Sequence, residues 1–358
     1  MKLLFDARYI RTDYHDGISR YTTELANALA RQTPSVIFIV SNKTQLRFLP
    51  RGSKHIMLHS VTSWREPLSA LWLNRHKPDV VVSPLQTIGS VGRKFKLVLT
   101  LHDLIYYKHR TPPPQFNPAI RALWRIYYMT YIPQRITLNH ADLVVTVSET
   151  SKKEIIKTKL TKRPIVVVPN AARDLVELLD EPVEQTHEKP RNLIYMGSFI
   201  PYKNVETLIR ALEYIPDHTL HLLSRIRPKR QQELLDIAPP RAKIVFHNGV
   251  TDTEYAELLA DTAIMVSASK AEGYGLPLAE AVAMGVPAVV TDMEIFHEVA
   301  EGGALYADPD DPADFATKIK SLDSLKKRDA LVEAGIKHIA KFNWDESAKA
   351  LLKAIDKL

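Results

Sequence analysis

The stretch Ser267–Glu280, SASKAEGYGLPLAE, sets two carboxylates, two glycines and a proline where an apolar run ends and a helical pattern begins. Gly273 and Gly275, on either side of Tyr274, free the backbone for positive φ and for close approach to a ligand. Pro277 falls near the first turn of the helix, where its missing N–H costs nothing. The unpaired amides of Gly275, Leu276 and their neighbours, with the positive end of the helix dipole, make an anion site suited to a diphosphate or a sugar hydroxyl. Glu272 in the loop can reach polyol hydroxyls or a developing positive charge. Glu280, about one turn into the helix, can accept both hydroxyls of a ribose, as acids do in dinucleotide sites. A glycine-rich strand-to-helix turn is common and can be purely structural. Two glutamates at this spacing around Gly-Tyr-Gly-Leu-Pro are more specific.

Two further residue types sit at strand ends. Lys203, in Gly197-Ser198-Phe-Ile-Pro-Tyr-Lys203-Asn204, is a compact cation that can neutralise phosphate charge as a bond breaks; alone it would read as a solvated surface charge. His102, in Leu-His-Asp-Leu, can hydrogen-bond a sugar or merely satisfy backbone groups. No Asp-x-Asp metal motif stands among these segments, so no metal site is expected. Ile120, Leu123, Trp124, Tyr127, Tyr128 and Tyr131 form an aromatic stripe after Pro112–Pro114, with Arg121 and Arg125 beside it. That stripe suits either a core face or a membrane-surface helix and acceptor-lipid groove.

These residues need a scaffold of alternating strands and helices. Lys2–Asp6, Val36–Val40, Val80–Ser83, Leu97–Leu101, Leu143–Val147 and Ile165–Val168 read as strands, with helices over Ser19–Arg31 and Ser148–Lys159. The pattern restarts with strands at Leu193–Met196, Thr219–Leu223, Lys243–Phe246, Ala263–Val266 and Ala288–Thr291. Helices are expected between them at Val205–Leu212, Asp252–Leu259 and Leu276–Met284. Phe342–Leu358 is a capped amphipathic helix with Ala348, Leu351, Leu352 and Ile355 on one face. The fold class is therefore α/β with two Rossmann-like, doubly wound domains. The expected domains are residues 1–174, a linker over 175–190, a second domain over 191–341 and a C-terminal helix over 342–358.

Composition agrees with two soluble domains. The chain has 358 residues, 45% hydrophobic and 25% charged, with no cysteine, which excludes disulfides and cysteine nucleophiles. No signal peptide or membrane span is expected, so a cytoplasmic protein is, with the inner face of the plasma membrane left open. Residues 1–174 hold 27 lysines and arginines against 11 acids, while the remainder holds 21 against 30. A basic first half can be a solvated face, or can meet anionic lipid or a phosphorylated acceptor. No nucleic-acid motif accompanies it, and no nucleic-acid partner is expected.

Glu272, Gly273–Pro277, Glu280, Ala281, Ala283, Gly285 and Pro287 together resemble the Glu-x7-Glu signature of the retaining glycosyltransferases of family 4, whose fold is GT-B. Ala288 replaces the common valine. The resemblance implies two domains facing a central cleft, with the C-terminal helix crossing back to the first. It also implies a nucleoside-diphosphate sugar donor, with its pyrophosphate on the loop, Glu280 on the ribose and Glu272 beside the transferred sugar. The segment from Gly197 to Asn204 is similar to the family's Gly-x5-Lys-Asn loop, which brings in Ser198, Lys203 and Asn204. Many relatives carry an arginine there as well; this chain has none, so Lys203 acts alone or with Arg225. The loop Phe246–Val250, with Asn248 and Val250, is similar to the one that cups the base, with Ser224 and Arg225 opposite; both can equally be ordinary turns. Asp16-Gly17-Ile-Ser19-Arg-Tyr resembles the family's Gly-Ile-Gly-Arg-Tyr loop, where Gly17 would offer amides to the phosphate from across the cleft. Ser19 stands where the second glycine is common.

By the same resemblance, the expected reaction is hexosyl transfer to a hydroxyl of a glycan or lipid-linked acceptor, mannose ahead of glucose, without a metal or other cofactor. Glu272, His102 and Lys203 are the expected catalytic residues. No carboxylate is placed for backside attack, which leaves same-face attack assisted by the leaving phosphate. A sugar-nucleotide epimerase, a phosphorylase or a non-catalytic sugar-nucleotide sensor would use the same fold and donor loop.

Overall fold

The computed structural model describes residues 1–13, 16–112, 117–180 and 188–358. Two compact units result, one from Met1–Asn170 with Phe342–Leu358 and the other from Ala171–Lys341. Pro113 and Pro114, and residues 181–187 of the expected linker, lie outside the described residues.

The first unit is built on strands β1 (Leu3–Asp6), β2 (Ile37–Val40), β3 (Lys54–Met57), β4 (Val80–Ser83), β5 (Lys96–Thr100), β6 (Leu143–Thr146) and β7 (Ile165–Val167). They form one parallel sheet in the order β3-β2-β1-β4-β5-β6-β7. Short runs such as Val-Val-Val-Ser in β4 are buried throughout because helices cover both faces of a parallel sheet. The chain works outward from β1 to β3, then restarts at β4 on the other side of β1. The strand order therefore reverses between β1 and β4, where open α/β sheets bind ligands at their carboxyl ends.

The second unit repeats the plan with β8 (Asn192–Tyr195), β9 (Thr219–Leu222), β10 (Lys243–Phe246), β11 (Ala263–Ser267), β12 (Ala288–Thr291) and β13 (Ala304–Ala307). Their order is β10-β9-β8-β11-β12-β13, all parallel, so the reversal falls between β8 and β11. The core joins Leu193, Ile264, Val266 and Val289 of the sheet to Leu208, Phe315 and Ile319 of the flanking helices.

Two departures from the sequence reading have simple causes. The strands β3 and β13 were not expected: β3 is mostly exposed and carries no apolar run, and β13 is only the four-residue run Ala-Leu-Tyr-Ala. Residues 175–180 and 188–190, the described part of the expected linker, belong to the second unit, as do residues 171–174 of the expected first domain. There Leu175 is buried and the 3-10 turn Val176–Leu178 packs on the helix Asp252–Ala260, a turn too short to show periodicity. The helix Trp344–Ile355 belongs to the first unit, as the resemblance implied. Asn343 caps it by accepting from the Glu346 amide at 2.8 Å, and it packs on the helix Gly17–Gln32.

Candidate functional site

In the second unit, the two loops that leave the sheet at its reversal point meet through charge. The loop after β8 ends in Lys203 and the loop after β11 carries Glu272. Lys203 Nζ donates to Glu272 Oε1 at 2.6 Å, with the side chains 18% and 14% exposed. The backbone ties the same loops together, since the Lys270 amide donates to the Tyr202 carbonyl at 2.8 Å. Two residues 69 apart in sequence thus form one partly desolvated pair, with a cation and a carboxylate side by side at a strand end.

Glycine is required at two places here. Gly275 has φ of +94°, and a Cβ on it would come within 2.8 Å of the Phe296 ring. That left-handed residue opens the helix Leu276–Ala283 with its first amides unpaired by any side-chain cap. A Cβ on Gly197 would meet the Tyr195 hydroxyl at 2.8 Å, and that hydroxyl donates to the Ser198 carbonyl at 2.7 Å to hold the loop.

The remaining expected donor residues divide by what their side chains already touch. Tyr274 is buried, its hydroxyl enclosed, so only its backbone lines the loop with half-buried Gly273 and Leu276. Asn204 adopts φ of +52°, and its amide group donates to the Pro309 carbonyl at 2.7 Å while its oxygen accepts from Thr207. Asn204 therefore locks the loop's exit. The exposed Ser198 and half-buried Val250 stay at the surface. Ser224 Oγ accepts from the Gly197 amide at 3.2 Å. Asn248 Oδ1 accepts from the Ile226 amide at 3.0 Å, and the Arg225 side chain covers Gly249. The Ser224–Arg225 turn and the Asn248–Val250 turn thus lie against each other, making the rim a nucleotide base would need.

Sequence reasoning missed two arginines. Arg230 donates from Nε to the Phe199 carbonyl at 3.0 Å, so an arginine does reach the loop after β8, but its guanidinium is bound to Glu206 and Glu233. Arg173 donates from Nε to Glu280 Oε1 and from Nη1 to Asp252 Oδ2, each at 2.7 Å. Only the fold brings Arg173 to a glutamate 107 residues away.

The first unit has its own cluster. His102 follows β5, and its Nε2 lies 2.8 Å from the Pro84 carbonyl, which follows β4. A carbonyl only accepts, so Nε2 carries the proton. Burial lowers the His102 pKa, with the Pro84 hydrogen bond and the Asp16 charge opposing, so the ring is neutral at pH 7. Nδ1 is then an acceptor, fit for a sugar hydroxyl. Tyr21 packs edge-on against His102 at 4.8 Å and belongs to the helix that Gly17 begins, so the fold couples the Gly17 loop to His102. Among the described residues, no neighbour lies within 4 Å of where a Cβ on Gly17 would sit. Ser19, in place of the second glycine, accepts from the Arg11 amide at 2.9 Å through its hydroxyl and is fully buried.

The aromatic stripe resolves into two faces. Trp124, Tyr127, Tyr128 and Tyr131 turn inward onto one another and onto Tyr106 and Tyr107. Leu123 and Ile126 on the helix Pro118–Tyr127, Met129 in the turn after it, and Ile132 and Ile136 on the helix Ile132–Asn139 stay exposed. Among the described residues, no helix is long and apolar enough to cross a membrane.

Comparison with known proteins agrees with this construction. Residues 15–173 match the family described as Glycosyltransferase Family 4, and residues 176–338 match Glycosyl transferases group 1. The chain is 27% identical to the O-antigen chain mannosyltransferase B of Escherichia coli over 99% of both chains. It is 27% identical to the O-antigen chain mannosyltransferase RfbU of Salmonella typhimurium over 69% of this chain and 65% of that one. Among solved structures, the sucrose-phosphate synthase of Thermosynechococcus elongatus superposes with a TM-score of 0.73 at 18% identity, covering 99% of this chain and 98% of that one. The two parallel-sheet units are those of the GT-B fold.

Proposed function

The chain belongs to the glycosyltransferases of family 4 and group 1, and on that premise we propose that it is a retaining, metal-independent mannosyltransferase. Its donor is a nucleoside-diphosphate mannose, and its acceptor is a hydroxyl of a glycan or lipid-linked saccharide. The Escherichia coli and Salmonella relatives, both called O-antigen chain mannosyltransferases, support mannose ahead of glucose. The observation that carries the reading is the Lys203–Glu272 pair at the β8/β11 reversal point.

In this reaction the bond from the sugar C1 to the departing phosphate oxygen breaks, and a bond from the acceptor oxygen to C1 forms on the same face. The acceptor proton passes to the departing phosphate. Lys203 has three donors, so it can keep Glu272 and still bind the oxygen on which charge develops. The unpaired amides at Leu276 share that charge, so cation and amides supply what a metal otherwise would. Glu272, held at a fixed distance from the lysine, orients the sugar hydroxyls. In the first unit, neutral His102 accepts a sugar hydroxyl through Nδ1.

A thermal-shift panel of GDP-mannose, UDP-glucose and ADP-glucose names the donor. GDP-mannose should stabilise the protein most, by about 2.7 kcal/mol when present at a hundredfold excess over its Kd. Selective stabilisation by UDP-glucose would overturn mannose. With the selected donor, a lipid-linked oligosaccharide acceptor and excess chelator, proton NMR should show an α-linked product from an α-linked donor. Strict need for Mn²⁺ or Mg²⁺, or an inverted product, would contradict the mechanism. Product without acceptor would mark an epimerase, product only with inorganic phosphate a phosphorylase, and donor bound but never consumed a sensor.

We also propose that the first unit docks on anionic membrane. The aliphatic face of Leu123, Ile126, Met129, Ile132 and Ile136 supplies the apolar contact, and Arg121 and Arg125 with the basic excess of residues 1–174 supply the charge. The protein should sediment with phosphatidylglycerol vesicles at low salt, and Leu123→Asp with Ile126→Asp should abolish this. Absence of sedimentation, or an unaffected double variant, would remove the membrane from the reading.

A further inference from the structure

We infer that Arg173 is a positioning residue for donor binding, one that sets Glu280 for the nucleotide ribose; this rests on the reading of Glu280 as the ribose carboxylate. Glu280 is nearly buried, with its side chain 4% exposed. Burying a charge is costly unless it is paired and hydrogen-bonded. Arg173 is the pairing cation, and burial, which would lower its own pKa, is outweighed by Glu280 and Asp252, so its pKa is raised.

Three features make Arg173 a fixed fork rather than a passing contact. Its second carboxylate, Asp252, is the first residue of the helix Asp252–Ala260, which follows directly on the Asn248–Val250 turn at the base rim. That helix start is itself rigid, with Thr251 and Glu254 closing a capping box. On the chain side, Leu175, two residues on, is buried, and the 3-10 turn Val176–Leu178 packs on the same helix. One planar guanidinium therefore ties the element behind the base rim to the carboxylate meant for the ribose, and so spaces the two halves of a nucleoside site.

The pair also leaves capacity for a ligand. Arg173 occupies Glu280 Oε1 through Nε, and no hydrogen bond to Oε2 is present among the described residues. Arg173 Nη2 is enclosed and has no partner, a donor whose desolvation is uncompensated in the free protein. A ribose hydroxyl can then donate to Oε2 while Arg173 holds Oε1 in place. Lysine cannot reproduce this, since it lacks the planar fork that reaches two carboxylates.

Calorimetric titration with GDP and UDP tests the assignment on wild type, Arg173→Lys, Arg173→Met, Glu280→Gln and the Arg173→Met/Glu280→Gln pair. Arg173→Met should weaken the nucleoside diphosphate that wild type prefers by about tenfold or more, the loss expected for one charge-assisted hydrogen bond. Arg173→Lys should recover part of that loss. In the Glu280→Gln background, Arg173→Met should cost far less, because the arginine acts through the glutamate. In turnover, the loss should fall on the donor KM rather than on kcat, which a general loss of structure would not do. Unchanged or tighter binding in a folded Arg173→Met would overturn the inference, the latter by making Arg173 a latch that the donor must displace. Additive losses in the double variant would overturn it as well. Failure of wild type to bind any nucleoside diphosphate would instead overturn the glycosyltransferase donor site itself.

Discussion

Lys203→Ala should lower transfer by about 10²- to 10³-fold at saturating donor, the loss seen when one preorganised donor to a developing oxyanion is removed. The side chain does two jobs that alanine cannot. On the proposed mechanism it supplies the cation for the departing diphosphate, and it holds Glu272 through the 2.6 Å contact. Removing it leaves Glu272, only 14% exposed, as an unpaired carboxylate facing an anionic ligand. For that reason Lys203→Ala/Glu272→Gln should be no worse than Lys203→Ala alone, although Glu272→Gln by itself also impairs transfer. Initial rates across this cycle, with melting curves to establish that each variant folds, decide the matter. Near-wild-type rates in folded Lys203→Ala would remove the lysine from the mechanism, and strictly additive losses would separate the two residues.

Arg8→Met should destabilise the first unit by about 3–5 kcal/mol, as expected when one member of a buried ion network is removed. Asp6 ends β1, and Arg8 two residues later is buried with it. The guanidinium donates to both Asp6 oxygens at 2.8 Å and to both Glu66 oxygens at 2.7 and 2.8 Å. Burial alone would lower the Arg8 pKa; the Asp6 and Glu66 charges outweigh it and raise it. His59 lies 3.0 Å from Glu66 and gives its carbonyl to Arg8, so the network pins the 59–66 segment to the end of β1, at the β1/β4 reversal point. Methionine keeps the packing volume but strands two carboxylates. All four tryptophans, Trp64, Trp72, Trp124 and Trp344, lie in the first unit, so urea unfolding followed by tryptophan fluorescence reports that unit alone. A loss below about 1 kcal/mol, the scale of an exposed ion pair, would show that the network is solvent-screened.

The Gly273–Pro277 loop was the most legible part of the chain, because its requirements are local. A left-handed Gly275 opening a helix, a proline in the first turn and a buried strand ahead of them are properties of neighbours along the backbone, and they appear as a string of letters. The capped C-terminal helix was legible for the same reason. Less was visible wherever burial is set by distant chain. The edge strand β3 mixes charged with apolar residues and is mostly exposed, so nothing along it marks a strand. Periodicity found the stripe from Ile120 to Tyr131 but not its orientation. Packing of Tyr107 against Tyr128 and Tyr131 turned the aromatics inward and left the aliphatic residues outside.

By itself, then, the sequence determined the repeated α/β plan and singled out the Gly273–Pro277 loop with Glu272, Lys203, His102 and Glu280 as candidates, since each is marked by short-range backbone chemistry. Tertiary structure alone decided who partners whom. It put Lys203 on Glu272, Arg173 on Glu280 and Asp252, and the Pro84 carbonyl on His102, and it diverted Asn204 and Tyr274 into the scaffold. Such pairings depend on strand order, which brings loops together at a sheet's reversal point irrespective of their separation along the chain. No local pattern encodes that order, and so charge complementarity became readable only once the sheets were formed.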